Sequence, residues 1–263
     1  MKARKIMEVL YSMETTANYT HTCDTIKAGD SEKEVKKVAV TMFGTPELLK
    51  KAKAWGADML IVHEPMYFVH HDIVPPECTD PIILAKIEAA KDSGMAIYRY
   101  HDNMHHHVPD MIGEGQFRAM GLSGKFEKGP YYAVNRIILD EPITVREIGE
   151  LMREKLGLAA PKMCGALDTP ITRISAAFGT PGHLNDELLS DEIELILTGE
   201  SDEWSFAEKV KEAGQLGFTK AMIVMGHIGS EREGMRYLAD ILQNRLPELE
   251  VCYMECGEVY EIG

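Results

Sequence analysis

Short apolar runs alternate with amphipathic segments along most of this sequence. The runs have the length and composition of buried strands, and the segments between them carry apolar residues at helical spacing. Strands that alternate with helices predict layered α/β units with mostly parallel sheets. The fold class expected from the sequence is therefore α/β.

The predicted elements follow one another with few long gaps. The predicted strands are residues 38–43, 59–62, 96–100, 131–139, 173–178, 193–197, 221–225 and 250–254. The predicted helices are residues 3 to about 16, a helix opened by Thr45-Pro46, and residues 80–93, 109–120, 144–156, 203–213 and 230–244. Thr144 and Glu147 have the spacing of a capping box at the start of the helix predicted for residues 144–156. Gly121 is predicted to end the helix of residues 109–120. Residues 19–34 are polar and are predicted to form a loop.

The strand–helix pattern begins again near Gly129-Pro130, after a break in the alternation. This restart suggests a second α/β unit, although no repeat is visible at the level of single residues. A chain of 263 residues is long enough for two small domains that each bury a core.

Charge and composition exclude several classes of partner. With 28 Lys and Arg against 42 Asp and Glu, the net charge is −14, which argues against nucleic acid as the main partner. No apolar run approaches the roughly 18 residues needed to cross a bilayer, so no membrane partner is expected. Five cysteines in a large chain fit free thiols in a reducing compartment, and a cytoplasmic location is expected.

Histidine is the residue whose distribution is informative. Seven of the ten histidines lie between residues 63 and 107, namely at positions 63, 70, 71, 101, 105, 106 and 107. An affinity tag would lie at a terminus, so this internal clustering indicates a metal site. His70 and His71 lie in a predicted loop, where they are either neighbours of the metal ligands or unrelated to them.

Three predicted strands are followed directly by side chains that can bind metal. His63 and Glu64 follow residues 59–62, His101 and His105 follow residues 96–100, and His227 and Glu231 follow residues 221–225. A single histidine after a strand is more often structural, but ligands bind at the carboxyl ends of strands in open α/β sheets. If these strands are neighbours, their side chains converge on one crevice.

The spacing and number of these residues point to the kind of centre. His101 and His105, like His227 and Glu231, are four residues apart, which brings two side chains to one face of a helical turn. Imidazole and carboxylate ligands suit Zn, Fe, Mn or Ni. Five or six ligands exceed the four of a structural zinc site, which predicts two ions roughly 3.5–4 Å apart.

Four segments in this order resemble the signature of the Nif-three-like family, also known as dinuclear metal-centre proteins or GTP cyclohydrolase I type 2 homologues. The family's segments are His-His-Pro after a strand, Gly-x-Ala-x-Tyr-x-x-His-Thr-x-x-Asp, Thr-Gly-Asp, and Gly-His-x-x-x-Glu. They stand here as His63-Glu64-Pro65, as Gly94-Met-Ala-Ile-Tyr with His101 and His105, as Thr198-Gly199-Glu200, and as Gly226-His227 with Glu231.

The resemblance implies a ligand set and an architecture. Its five metal ligands correspond here to His63, Glu64, His105, His227 and Glu231. Glu64 replaces a family histidine and His105 replaces a family aspartate, so the set keeps three imidazoles and two carboxylates. His101 is expected as a supplementary ligand or a neighbour of the ligands. The implied fold has a metal-binding α/β domain of residues 1–128 and 220–263, with a second α/β domain of residues 129–219 inserted into it, and the implied assembly is a homohexamer.

The function that follows is a dinuclear metal hydrolase acting on a small nucleotide-like or phosphorylated substrate, with two divalent ions (Zn, Fe or Mn) as cofactors. GTP cyclohydrolase activity is implied by resemblance only, so the enzyme class stays open. Glu200 is the expected catalytic proton shuttle because it follows a strand end. The alternative is a non-enzymatic metal-binding oligomer that serves as a scaffold or stores or senses metal, which the histidine-rich residues 101–107 support.

Overall fold

The structure, a computed structural model, describes residues 1–13 and 21–261 of the chain. The chain separates into two units. The first consists of Met1–His107 and Met235–Gly263, and the second is the continuous stretch Val108–Gly234. The predicted boundaries at 128/129 and 219/220 both fall within that stretch, so the predicted inserted domain of residues 129–219 makes up most of it.

Helices and strands alternate along the described residues. In chain order the elements are α1 (Ala3–Tyr11), β1 (Ile26–Ala28), β2 (Lys37–Thr41), α2 (Pro46–Trp55), β3 (Met59–Val62), α3 (Pro81–Ser93), β4 (Ala96–Arg99), α4 (Asp102–His106), α5 (Met111–Met120), β5 (Gly124–Lys128), β6 (Val134–Thr144), α6 (Val145–Leu156), β7 (Lys162–Gly165), β8 (Pro170–Ala177), α7 (Leu184–Leu189), β9 (Leu195–Thr198), a π-helical turn (Glu203–Ala207), α8 (Glu208–Gln215), β10 (Ala221–Val224), α9 (His227–Arg245) and β11 (Glu250–Tyr253).

The first unit is organised by a sheet with the strand order β1-β4-β3-β2-β11. β1 pairs antiparallel with β4, and the other neighbouring strands are parallel. β3 and β4 are buried along their whole length, as expected for strands covered on both faces. Because these two strands are parallel neighbours, residues that follow them lie at the same edge of the sheet.

Local capping chemistry places the helix ends as the sequence predicts. The Thr45 side chain accepts a hydrogen bond from the backbone N–H of Leu48 at the start of α2. The capping box of Thr144 and Glu147 is present at the start of α6. Gly121 ends α5 in the left-handed conformation.

The second unit contains a sheet with the strand order β5-β6-β8-β9-β10-β7. Its central strands β8, β9 and β10 are parallel, whereas β5, β6 and β7 pair antiparallel with their neighbours. The prediction of mostly parallel sheets is therefore wrong for this unit. The physical reason is visible in β6, where buried and more exposed residues alternate from Asn135 to Leu139, as is typical of an antiparallel strand with one solvated face.

The strand that precedes His227 is not a neighbour of the strands that precede His63 and His101. β10 pairs with β9 and β7 in the second unit's sheet, whereas β3 and β4 belong to the first unit's sheet. The three strands therefore do not lie side by side in one sheet. A short apolar strand does not specify its partners, because all buried strands present similar side chains.

Several predicted element bounds also differ from the structure. The predicted loop of residues 19–34 contains β1, an edge strand with only three residues and an irregular register. The first helix ends at Tyr11, and residues 14–16 of its predicted extent lie outside the described residues. The helix predicted for residues 203–213 begins as the π-helical turn and continues as α8 to Gln215.

The sequence predicts free cysteines and no membrane-spanning segment. All five cysteines are free thiols, as expected. Among the described residues, no helix combines the length and apolarity required to cross a membrane.

Candidate metal centre

Three histidines of the first unit come together at the carboxyl edge of its sheet. His63 follows β3 directly, whereas His101 lies just before α4 and His105 lies within it, after β4. The ring centroid of His63 lies 4.6 Å from that of His101 and 5.2 Å from that of His105, and the centroids of His101 and His105 are 4.8 Å apart. One ring nitrogen from each residue lies within 4.8 Å of the others. We call these three residues the histidine cluster.

His63 is held in one orientation and in its neutral form. Its side chain is fully buried, and its Nδ1 atom lies 3.2 Å from the carbonyl oxygen of Tyr100. Burial, reinforced by the nearby imidazoles and the Arg99 guanidinium, lowers the pKa of His63 well below its usual range. Neutral imidazole is the form that binds metal, so the protein maintains this ring in the competent state.

Asp102 contacts the Nδ1 atom of His101 and so orients its ring. The Nδ1 atom of His101 lies 3.0 Å from Oδ1 of Asp102, and Oδ2 of Asp102 accepts hydrogen bonds from the Cys23 backbone and the Thr22 hydroxyl, both at 2.9 Å. Burial favours the neutral carboxyl, but the hydrogen bonds from His101, Cys23 and Thr22 outweigh it and hold the pKa of Asp102 well below its usual range. A carboxylate on Nδ1 is the usual support of a metal-binding histidine, and it leaves Nε2 for the ion.

Asp24 fixes the turn that carries His101 and His105. Its Oδ1 accepts hydrogen bonds from the backbone N–H groups of His101 (2.7 Å) and Asp102 (2.9 Å). Its Oδ2 accepts from the backbone and the side-chain amide of Asn103, at 2.9 and 2.6 Å. Asp24 could not be recognised from the sequence, because it lies in the predicted loop and no local pattern links it to residues so distant along the chain.

Arg99 organises the residues that follow β3. Its side chain is 1% exposed, and it donates hydrogen bonds to the carbonyl oxygens of His63, at 2.8 Å from Nε, and of His70. Its guanidinium lies 3.7 Å from Oε2 of Glu64, so the buried Glu64 carboxylate faces a buried cation. The same loop brings the His70 ring to 5.8 Å from that of His101.

In the second unit, His227 and Glu231 face each other on the first turn of α9. The Nε2 atom of His227 lies 3.4 Å from Oε2 of Glu231, which confirms that the four-residue spacing brings both side chains to one face. The Nδ1 atom of His227 lies 2.6 Å from Oε1 of Glu200. Glu200 follows β9 and His227 follows β10, and these strands are parallel neighbours. Glu231 is almost fully buried, whereas Glu200 is half exposed.

Glycines allow the backbone to approach this pair closely. A Cβ atom at Gly179, just after β8, would lie 2.6 Å from Oε1 of Glu231 and 3.3 Å from Nε2 of His227. A Cβ atom at Gly199 would lie 2.5 Å from the Ser230 hydroxyl oxygen, which accepts a hydrogen bond from the Gly179 N–H at 2.9 Å. The sequence alone assigned no role in this site to Gly179 or Ser230.

The chain is similar to a known protein family over nearly its whole length. A model of the Duf34/NIF3 family (NGG1p interacting factor 3) matches residues 1–258. A protein of Clostridium perfringens named "GTP cyclohydrolase 1 type 2 homolog" is 24% identical over 227 residues, covering 84% of this chain and 83% of that protein. A protein of Archaeoglobus fulgidus with the same name is 26% identical over 217 residues, covering 82% of this chain and 83% of that protein.

Solved structures show the same fold at lower identity. A structure described as "protein ybgI, unknown function" has a TM-score of 0.81 at 18% identity and covers 99% of this chain and 100% of that chain. A Bacillus cereus protein described as related to NIF3 has a TM-score of 0.77 at 14% identity and covers 100% of this chain and 99% of that chain. At these identities the likeness shows a shared fold.

Proposed function

The chain belongs to the Duf34/NIF3 family, and from that premise we propose that it is a metal-dependent hydrolase of a small nucleotide-like or phosphorylated substrate. The observation that carries the proposal is the histidine cluster. Three imidazoles from the ends of two adjacent parallel strands converge there, with the ring of His63 kept neutral and that of His101 supported by a carboxylate. Such an arrangement is typical of metal-binding histidines.

The chemistry of the donors fits a borderline divalent ion. Three neutral imidazoles are ligands that suit Zn, Fe or Mn in proteins, and a catalytic site of this type keeps a further position for water or substrate. His63, His101 and His105 would hold the ion, and the buried Arg99 would fix the backbone of His63 and the carboxylate of Glu64 beside them.

His227 and Glu231 form a second set of possible ligands, and we propose that another ion binds to them. Two atoms bonded to a tetrahedral zinc ion at about 2.0–2.2 Å lie about 3.3–3.5 Å apart. The 3.4 Å between Nε2 of His227 and Oε2 of Glu231 matches that separation. A single dinuclear centre stays a prediction from the sequence, with the ligands His63, Glu64, His101, His105, His227 and Glu231.

Metal ions in such sites supply a hydroxide at neutral pH and polarise the bond to be cleaved. The residues of this chain would orient the metal ligands and transfer protons during the reaction. Glu200 would keep the Nδ1 proton of His227 in place, so that Nε2 is free to bind. Because half of the Glu200 side chain is exposed, we also propose it as the group that exchanges a proton with solvent.

The substrate class rests on the relatives. Curated relatives are named GTP cyclohydrolase 1 type 2 homolog, and a nucleotide-like substrate is carried over from those names to this chain as a proposal. A homo-oligomeric assembly, with the hexamer implied by the family resemblance, belongs to the same proposal.

The test combines metal loading and turnover. Protein without a tag would be stripped with a chelator, reloaded with Zn²⁺, Mn²⁺ or Fe²⁺, and offered a panel of nucleotides, phosphoesters and cyclic amides. We expect metal-dependent turnover that His63→Ala abolishes while His21→Ala, a change at an exposed histidine of the same unit, leaves it intact. Turnover that survives without metal, or that His63→Ala does not reduce, would refute the hydrolase.

A second candidate is a metal-binding oligomer without catalytic activity. It is favoured by the extra imidazoles of His106 and His107, which follow the histidine cluster directly and are only partly buried. It predicts stoichiometric metal binding with no turnover on any member of the panel.

A further inference from the structure

A second group of donor atoms lies beside the histidine cluster and contains a thiol. The Sγ atom of Cys23, a ring nitrogen of His70 and a carboxylate oxygen of Asp102 all lie within 4.8 Å of one another. They come from three separate stretches of the first unit, before β1, after β3 and at the start of α4. Neither the sequence motifs nor the family resemblance drew attention to Cys23 or assigned a role to His70.

Two of the three donor residues are buried and held in place, and the third is exposed to solvent. Cys23 is 1% exposed and Asp102 is 8% exposed, and Asp102 is tied to the backbone N–H of Cys23 at 2.9 Å. His70 is exposed, although its carbonyl oxygen is held by Arg99. Two donors are therefore preorganised in the interior, and the third closes the group from the solvent side, which gives an ion a path of entry.

The charges around Cys23 favour a bound cation over a lone thiolate. The thiol lies 3.7 Å from Oδ1 of Asp24 and next to Asp102, and Arg99 is the cation that acts on it. Burial, aided by the two carboxylates, raises the pKa of the Cys23 thiol, so the group keeps its proton in the absence of metal. A divalent cation reverses this balance, because a coordinating thiol loses its proton to solvent.

We propose that Cys23, His70 and Asp102 form a separate metal site, the Cys23 site, for a borderline-soft divalent cation such as Zn²⁺. One sulfur, one nitrogen and one oxygen donor suit this class of ion and exclude Mg²⁺ and Ca²⁺, which prefer oxygen ligands alone. The fourth tetrahedral position remains for water or a small thiol or imidazole ligand.

The Cys23 site is coupled to the histidine cluster through Asp102. Oδ1 of Asp102 contacts Nδ1 of His101, so the carboxylate that would bind an ion in the Cys23 site also orients a ring of the cluster. An ion bound to Asp102 withdraws charge from this contact and lowers the basicity of His101 as a ligand. The Cys23 site would therefore regulate the affinity of the cluster for its own ion.

Cobalt distinguishes the two sites, because Co²⁺ bound to a thiolate has an intense near-ultraviolet charge-transfer band that imidazole and carboxylate ligands do not produce. We expect this band when Co²⁺ is titrated into metal-free full-length protein. Cys23→Ser should abolish the band, whereas Cys78→Ser, at another free cysteine of the same unit, should leave it unchanged. His63→Ala should also retain the band, which separates this proposal from the function proposed for the histidine cluster.

His70→Ala provides a second variant in case Cys23→Ser does not fold. Because His70 is exposed, its replacement should leave the fold intact and weaken the Co²⁺ affinity measured from the band by roughly 10-fold or more. Absence of the band at saturating Co²⁺, its persistence in Cys23→Ser, or an unchanged affinity in His70→Ala would each overturn the proposal.

Discussion

The imidazole of His227 is placed between two carboxylates, with Nδ1 at 2.6 Å from Oε1 of Glu200 and Nε2 at 3.4 Å from Oε2 of Glu231. The two contacts differ in character, because Glu200 is half exposed whereas Glu231 is almost fully buried. Glu200 is thus suited to orient the ring, and Glu231 to share an ion with it.

Glu200→Gln should weaken metal binding to His227 and Glu231 by about 10–100-fold, because the neutral amide no longer stabilises the Nδ1 proton. The free energy of unfolding of the metal-free protein should change little, since Glu200 is half exposed. Competition with a chromophoric chelator measures the affinity. Glu203→Gln, at an exposed glutamate that pairs with Lys162, is the matched control, and an equal loss in both variants would contradict the role of Glu200.

Gly179→Ala should displace Glu231, because the new Cβ atom would lie 2.6 Å from its Oε1. Gly182→Ala is a close control, since Gly182 also has a positive φ but has nothing within 4 Å of its Cβ position. Both changes should lower the free energy of unfolding by about 1–2 kcal/mol, because alanine is disfavoured in the left-handed region. Metal affinity should fall in Gly179→Ala only, and a normal affinity there would show that the close approach is unimportant.

Asp24→Asn should loosen the turn that carries His101 and His105. The carboxylate accepts three backbone hydrogen bonds and one from the Asn103 amide, and an amide cannot replace both of its oxygens. Urea unfolding of the metal-free protein should show a loss of about 1.5–3 kcal/mol. Zinc affinity should fall as well, whereas Asp92→Asn, at an exposed position of the same unit, should alter neither quantity.

Arg99→Lys keeps the charge but loses the planar set of donors that reaches the carbonyl oxygens of His63 and His70. We expect the free energy of unfolding to fall by about 1.5–3 kcal/mol, since the hydrogen bonds of a buried charged group are lost. Arg4→Lys, at a half-exposed side chain of α1, should be neutral within error. Equal stability of the two variants in a urea titration would contradict the organising role of Arg99.

Local chemistry made part of this fold predictable. The capping residues Thr45, Asp80 and Thr144 act on N–H groups within three residues of themselves, so a helix start can be recognised in a short window of sequence. The pairing of His227 with Glu231 was predictable for the same reason, because both lie on one turn of one helix.

The features that could not be predicted depend on contacts between residues that are distant along the chain. Asp24 reaches the turn at His101 across 77 residues of chain, and no local pattern distinguishes it from the other acidic residues of a polar segment. The placement of β10 beside β9 and β7 likewise reflects packing of the second unit, because an apolar strand can pair with any other buried strand. The sequence therefore located side chains that can bind metal at the strand ends, but not the sheet to which each strand belongs.

The central claim is that the histidine cluster binds a metal ion, and anomalous diffraction tests it most directly. Crystals of protein without a tag, grown with Zn²⁺, would be measured on both sides of the zinc absorption edge. We predict an anomalous peak about 2.0–2.1 Å from a ring nitrogen of each of His63, His101 and His105. Ordered density for the three rings with no anomalous peak among them, at a zinc concentration that occupies other sites in the crystal, would contradict the account.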